Sequence, residues 1–319
     1  MAIRRREFLA ATAATGLGAM GGSRTVKAAE RTWPIAPKRK AVLKLSSQEW
    51  VMVGRDLNEK LDNMEKWGYV GLELRGRGLA GQVEKYQKAL QGRKVKVSAI
   101  CGGFQGCIIG TDKAARDQAL QTSKEILTAA GQLGSTGMIM VPAFNRAKAL
   151  PHKEARKLLT GFDRWDMRRP HDPKPLLLEL AEHAAQAGTR VILEPLNRGE
   201  CYFLRTLADG ASMCKDVNNP GLSVMGDFWH MTWEETSDLG AFISAGNYLH
   251  HVHMASRKRR KIPTMDGDAD NYVLGFRGLK LIGYQDYVSL ECGGPKDQNE
   301  RAKVLADAAK LLRDQWEQA

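Results

Sequence analysis

From Lys40 onward the chain repeats one unit: a short apolar run, a turn, then an amphipathic stretch that several times ends in glycine. Ala41-Val42-Leu43-Lys44-Leu45 is the first such run and Tyr69-Val70-Gly71-Leu72-Glu73-Leu74 the second. Residues 95–100, Met138-Ile139-Met140-Val141-Pro142, Val191-Ile192-Leu193-Glu194, residues 222–227, residues 249–254 and Tyr287-Val288-Ser289-Leu290-Glu291 complete a set of eight predicted strands. Helices are predicted over 57–67, 82–91, 112–133, 175–187, 206–217, 272–282 and 301–315, with Gly275 and Gly278 weakening the sixth. Asp112 supplies a side-chain cap, and Gly68, Gly92 and Gly134 supply stops. Eight strand–helix units over about 280 residues are the count and size of an α/β (β/α)₈ TIM barrel. An open doubly wound sheet would carry a glycine-rich phosphate loop after its first strand. Leu45-Ser46-Ser47-Gln48 stands there instead.

The first 29 residues are set apart from this repeat. Arg4-Arg5-Arg6-Glu7-Phe8-Leu9 has the twin-arginine export pattern, a weakly apolar small-residue stretch follows over 10–20, and Val26-Lys27-Ala28 offers a cleavage site. Residues 1–29 therefore read as a twin-arginine signal peptide and 30–319 as the barrel, in a protein that is periplasmic or otherwise exported. No apolar run is long enough to span a bilayer, so no stable membrane anchor is expected after cleavage. Cleavage after Ala28 removes five basic residues and one acidic one, lowering the formal charge from +12 to +8. That balance permits acidic partners without implying them. The five cysteines, at 101, 107, 201, 214 and 292, form no CxxC pair and read as small buried residues.

Chemistry concentrates at the C-terminal tips of the last four strands, the end of a parallel α/β fold where active sites lie. Pro195 cannot donate to a ladder, so the fifth strand stops with Glu194 at its tip. The sixth ends in Asp227 with His230 following, and the eighth ends in Glu291. In His251-Val252-His253 alternation puts both imidazoles on one side of the seventh strand. Taken singly, each has an ordinary structural reading: a buried histidine, a helix-capping aspartate, a glutamate paired with arginine. Four such groups at four consecutive strand tips are harder to explain that way. Two glutamates, one aspartate and one imidazole form an oxygen-rich set suited to one divalent ion: Mn²⁺ foremost, with Mg²⁺, Co²⁺ or Zn²⁺ as alternatives.

The segments Leu193-Glu194-Pro195-Leu196-Asn197-Arg198, Gly226-Asp227-Phe228-Trp229-His230, His251-Val252-His253 and Ser289-Leu290-Glu291-Cys292 resemble the xylose-isomerase-like sugar isomerase and epimerase superfamily. The likeness is greatest to its ketose 3-epimerase and hydroxypyruvate isomerase branch and runs from about Ala41 to Leu312. The resemblance implies Glu194, Asp227, His253 and Glu291 as metal ligands. It also implies Glu194 and Glu291 as the catalytic acid/base pair on opposite faces of a metal-stabilised enediolate. Glu200, His230 and Arg259, the last six residues after His253, match positions that hold substrate hydroxyls. Trp229, beside the second motif, is the best candidate to stack on a sugar ring, ahead of Trp165. The chain departs from the pattern between His253 and Arg259, where it has no acidic residue and instead opens a basic run through Lys261. That run reads either as a solvated loop or as a rim for an anionic substrate. Glu73 at the second strand's tip would touch substrate or pair with Arg75; His251 would support the metal or simply pack.

The expected activity is that of a metal-dependent sugar isomerase or epimerase. Its partner would be a small carbohydrate, a free keto-sugar or glycoside given the export signal, and a homodimer is common in the family it resembles. A 3-keto-glycoside lyase working by β-elimination on the same site, or a non-catalytic sugar-binding barrel, are the alternatives. A DNA-repair endonuclease of the same fold would need more histidines, including one after an aspartate in the loop past the seventh strand. Asp266-Gly267-Asp268 stands there, so no nucleic-acid partner is expected. Residues 144–175, rich in basic and aromatic groups, read as an irregular active-site cover.

Overall fold

The computed structural model describes residues 40–162 and 174–319. The signal-peptide reading, Trp165 and part of the predicted cover lie outside those residues. Eight parallel strands close into a barrel in chain order: β1 (Lys44–Gln48), β2 (Gly71–Arg75), β3 (Lys96–Cys101), β4 (Met138–Met140), β5 (Val191–Leu193), β6 (Leu222–Asp227), β7 (Leu249–Met254) and β8 (Tyr287–Leu290). Closure is made by β1 against β8, with Ser46 opposite Ser289. Around the barrel run α1 (Leu57–Trp67), α2 (Val83–Leu90), α3 (Lys113–Gln132), α4 (His152–Thr160), α5 (Leu176–Gln186), α6 (Leu207–Val217), α7 (Phe228–Glu234), α8 (Asp238–Ala245), α9 (Val273–Leu281) and α10 (Gln298–Gln318).

The main core lies between strands and helices, where Leu72, Leu74, Met138, Met140, Val191, Leu193 and Val224 pack outward. Ala99, Ile139, Ile192 and Met225 form a separate cluster from β3 to β6. The rest of the interior is polar. Ser46 and Ser98 share a 2.7 Å hydrogen bond, and Gln48, Glu73, His251 and His253 are all buried. This polarity explains why β1 lies three residues beyond its predicted position. The apolar run over 41–45 precedes most of the strand, whose pairing residues are largely Ser46, Ser47 and Gln48.

Two further differences have local causes. Helix α4 occupies part of the segment read as irregular; Ala155 and Leu159, four residues apart, are its only fully buried apolar side chains, too sparse a stripe to register as a period. Helix α9 forms in spite of its glycines because they are where it makes close contact. A Cβ on Gly275 would lie 2.4 Å from the Phe228 ring, and one on Gly278 would lie 3.1 Å from the Leu239 backbone. Phe228 is itself the hub of an aromatic cluster, edge-on to Phe242, Tyr272 and Phe276. Helix propensity alone would have Gly275→Ala stabilise α9 by about 1 kcal/mol. Overpacking against Phe228 reverses the sign, and Gly275→Ala is expected to destabilise by about 1–3 kcal/mol, read as a lower denaturant midpoint at unchanged slope.

Candidate metal centre and sugar site

The strand tips converge as anticipated. Ligand atoms of Glu194, Asp227, His253 and Glu291 all lie within 4.8 Å of one another. Glu194 leaves β5 just before Pro195, its amide bonded to the Met140 carbonyl at 3.0 Å. Asp227 has two roles: Oδ1 caps α7 by accepting from the Trp229 amide at 2.7 Å, leaving Oδ2 to face the cluster. His253 Nδ1 lies 3.1 Å from Glu291 Oε2 and 3.6 Å from Glu194 Oε1.

Beneath the cluster, Glu73 crosses the interior from β2 to β7. Its Oε2 is 2.9 Å from Nε2 of both His251 and His253, and its Oε1 accepts from Gln48 Nε2 at 2.8 Å. The Gln48 amide also reaches Glu291 Oε1 at 3.1 Å. Glu73 neither lines the cavity nor pairs with Arg75, whose guanidinium stacks 4.1 Å over Trp50. Burial alone would raise the Glu73 carboxyl; the His253 and His251 imidazoles outweigh it and hold the group down at about 2. Burial, with the Glu291 charge close by, raises Glu194. Glu291 is less deeply buried, and His253, Arg260 and Gln48 overcome the burial it has and hold it below the usual carboxylate range.

These residues fit a divalent cation on two observations. His253 Nδ1 is buried without a directed hydrogen bond and faces three carboxylates, while its Nε2 is held by Glu73. A carboxylate fixing the far nitrogen of a ligating histidine is the usual arrangement around protein-bound metals. The three carboxylates and one imidazole form the oxygen-rich donor set that hard divalent ions prefer.

A cavity of about 460 Å³ opens over the cluster, with Glu194, Glu200, His230, Arg260 and Glu291 on its polar side. His230 Nδ1 accepts from the Asn197 amide at 3.1 Å, which leaves the neutral ring's proton on Nε2, 3.5 Å from Asp227 Oδ2. Arg259, the predicted substrate arginine, is not there: it is 59 % exposed and bound to Asp266. The next residue takes its place. Arg260 Nη2 lies 2.6 Å from Glu291 Oε2 and 3.4 Å from Asp227 Oδ2. Trp229 does not line the cavity either; it sits edge-on to Trp233 at 5.8 Å.

The basic run is thus neither a solvated loop nor wholly a rim. Arg257 binds Asp238 and lies over the Phe228 and Tyr272 rings, and Arg259 binds Asp266. That leaves Arg260, at φ 51°, to turn inward. Gln48 and Arg260 are the site residues that sequence reasoning missed. The polar stretch at the first strand was the available signal for Gln48. For Arg260 no local signal separated it from the four neighbouring cations.

With this geometry in view, the comparisons with known proteins are decisive for family. A model described as Xylose isomerase-like TIM barrel matches residues 61–315. The chain belongs to that family. Among similar proteins, the 3-dehydro-D-guloside 4-epimerase of Escherichia coli is 29 % identical over 272 residues, covering 85 % of this chain and 99 % of its own. A probable ketose 3-epimerase of Synechocystis is 34 % identical over 134 residues, covering 42 % of this chain and 44 % of that one. The apo crystal structure of the E. coli 3-keto-D-glucoside 4-epimerase superposes with a TM-score of 0.73 at 26 % identity, over 86 % of this chain and 100 % of that one.

Asp266 holds the loop that presents Arg260. Its carboxylate accepts from the Lys258 and Arg259 amides at 2.7 and 2.9 Å, with its side chain 1 % exposed. Burial would raise it, but hydrogen bonds from Arg259, Ser256 and those amides win and hold it at about 2, below its ordinary 3.8. A depressed carboxyl contributes stability above its unfolded value and loses it as pH falls through the folded one. Asp266→Asn is therefore expected to cost about 1.5–3 kcal/mol at pH 7. In equilibrium unfolding across pH, the gap from wild type should shrink between about pH 4 and pH 2.

Proposed function

We propose that this protein is a divalent-metal-dependent epimerase of keto-sugars. The observation that carries the reading is the placement of Glu194 and Glu291, at the tips of β5 and β8, around the bare Nδ1 of His253 at the floor of an open cavity with a polar side. A divalent ion held by Glu194, Asp227, His253 and Glu291 would supply charge stabilisation at a sugar carbonyl and its neighbouring hydroxyl. Glu194 and Glu291 stand on different strands, so one removes the proton beside the carbonyl and the other returns it from across the sugar plane. His230 Nε2–H and the Arg260 guanidinium donate to sugar oxygens, and Glu200 accepts from a hydroxyl. The E. coli relative, named as a 4-epimerase of a 3-dehydro-guloside, supports epimerisation beside a ketone over isomerisation of an aldose. Export rests on the twin-arginine pattern of residues 4–9 and favours an unphosphorylated sugar.

The test is an NMR time course in D₂O with the Mn²⁺-loaded protein, a panel of ketoses and a panel of 3-keto-glucosides. Deuterium should enter beside the carbonyl with every carbon retained. Chelation should abolish exchange, and added Mn²⁺ should restore it. Glu291→Gln and Glu194→Gln should each lower kcat/KM by roughly 10²–10⁴. Full turnover in Glu291→Gln with metal still bound would sink the acid/base assignment. Expulsion of the substituent at C1 would make the protein a lyase.

The shift of one residue at the rim gives a second test. Arg260→Ala should lower kcat/KM roughly 10–100-fold, the worth of one charged hydrogen bond, while Arg259→Ala should change it by no more than about threefold. Steady-state kinetics on the two variants side by side decides between them, and the reverse ranking would return the role to Arg259.

A further inference from the structure

The cavity has two unlike halves, and the proposed function uses only one. Its polar groups come from β5–β8 and their loops. The opposite wall, built by the β3 and β4 ends, carries Phe104, Ile139, Val141, Ala143, Phe144 and Ala147. The only hydrogen-bonding side chains among the described residues on that wall are two thiols. Cys101 Sγ accepts from Gln48 and Cys107 Sγ donates to the Pro142 carbonyl, each at 3.7 Å. Phe144 stands at the mouth, 53 % exposed.

A free hexose ketose carries a hydroxyl on nearly every carbon. Pressed against this wall, its far hydroxyls would give up water without side-chain partners, at about 1–3 kcal/mol each. The volume, about 460 Å³, is in the roughly 300–1,000 Å³ range of pockets that enclose drug-sized ligands. A ligand that fits both halves has a keto-sugar at the carboxylates and an apolar group at the other end. Building on the epimerase reading, we propose that the β3–β4 wall is an aglycone subsite and that the substrates are keto-glycosides bearing an aromatic or alkyl aglycone. Phe144 forms the stacking face at its entrance, and Phe104 and Val141 line its depth.

Binding of unoxidised glucosides tests the subsite without requiring turnover. Isothermal titration of the Mn²⁺-loaded full chain with phenyl β-D-glucoside and with methyl β-D-glucoside should show the phenyl compound at least tenfold tighter. In Phe144→Ala that ratio should fall at least threefold; the side chain is half exposed, so the barrel does not depend on it. Equal affinities in the wild type, or a ratio unmoved by Phe144→Ala, would overturn the proposal. The D₂O experiment, run in parallel on the matching 3-keto-glucosides, separates the two ideas. A phenyl preference in binding without exchange would uphold the subsite and remove the epimerase reading. Exchange with no phenyl preference would do the opposite.

Discussion

The contact between Glu73 and the two histidines of β7 is the interaction on which the mouth of this barrel depends. A carboxylate fully removed from water is expensive, and removing one partner of a buried charged pair costs roughly 3–5 kcal/mol. Here two imidazoles and the Gln48 amide share the charge, from strands on either side of the β8–β1 closure. The consequence reaches upward. Against burial, the facing carboxylates raise the His253 imidazole well above its ordinary value; when the ring is neutral, as a bound cation would require, the hydrogen bond from Nε2 to Glu73 keeps the proton there and turns the Nδ1 lone pair toward Glu194, Asp227 and Glu291. Gln48 extends the same network to Glu291 directly. The donor geometry at the mouth is thus set by polar groups one layer down.

The loop after β7 solves a different problem, placing one cation among carboxylates while four others stay out. Arg257 is held by Asp238 and two aromatic faces, and Arg259 by Asp266. The backbone closes the turn through Ser256 and Lys261, whose groups bond at 2.7 Å, and the Arg260 carbonyl accepts from the Gly293 amide at 2.9 Å. With both flanks tied down, the left-handed backbone at Arg260 has only the cavity to turn toward. A side chain delivered by such a braced turn loses little further freedom on meeting its partners, which is what a binding group needs.

These features divide by how much of them a sequence displays. The eight strands and the four acidic or imidazole tips were legible because alternation and chain order determine them, and a ligand at a strand end needs no knowledge of its neighbours. Glu73 was visible as a tip residue, but its partners lie 178 and 180 residues away across the interior, and nothing local indicates which way it points. Gln48 was masked by the same polarity that shifted β1: a strand facing a polar interior lacks the apolar rhythm by which strands are found. The choice of Arg260 over Arg259 turns on one backbone angle in a run of five cations, below the resolution of any spacing argument.

The two-faced cavity also bears on which reaction the site can run. Abstraction of the proton beside a ketone is common to epimerisation and β-elimination. They part at the next step, when a proton returns to carbon or a glycosidic oxygen departs. Departure is assisted by an acid close to that oxygen. On the apolar wall, where an aglycone would lie, the described side chains offer only the Cys101 and Cys107 thiols, both pushed up by burial and hence poor proton donors at neutral pH. The proton-transfer groups are gathered instead at the carboxylate floor, around the carbon next to the ketone. On the proposed reading, an apolar wall that holds the aglycone without protonating it would retain that group, the behaviour expected of an epimerase and not of a lyase.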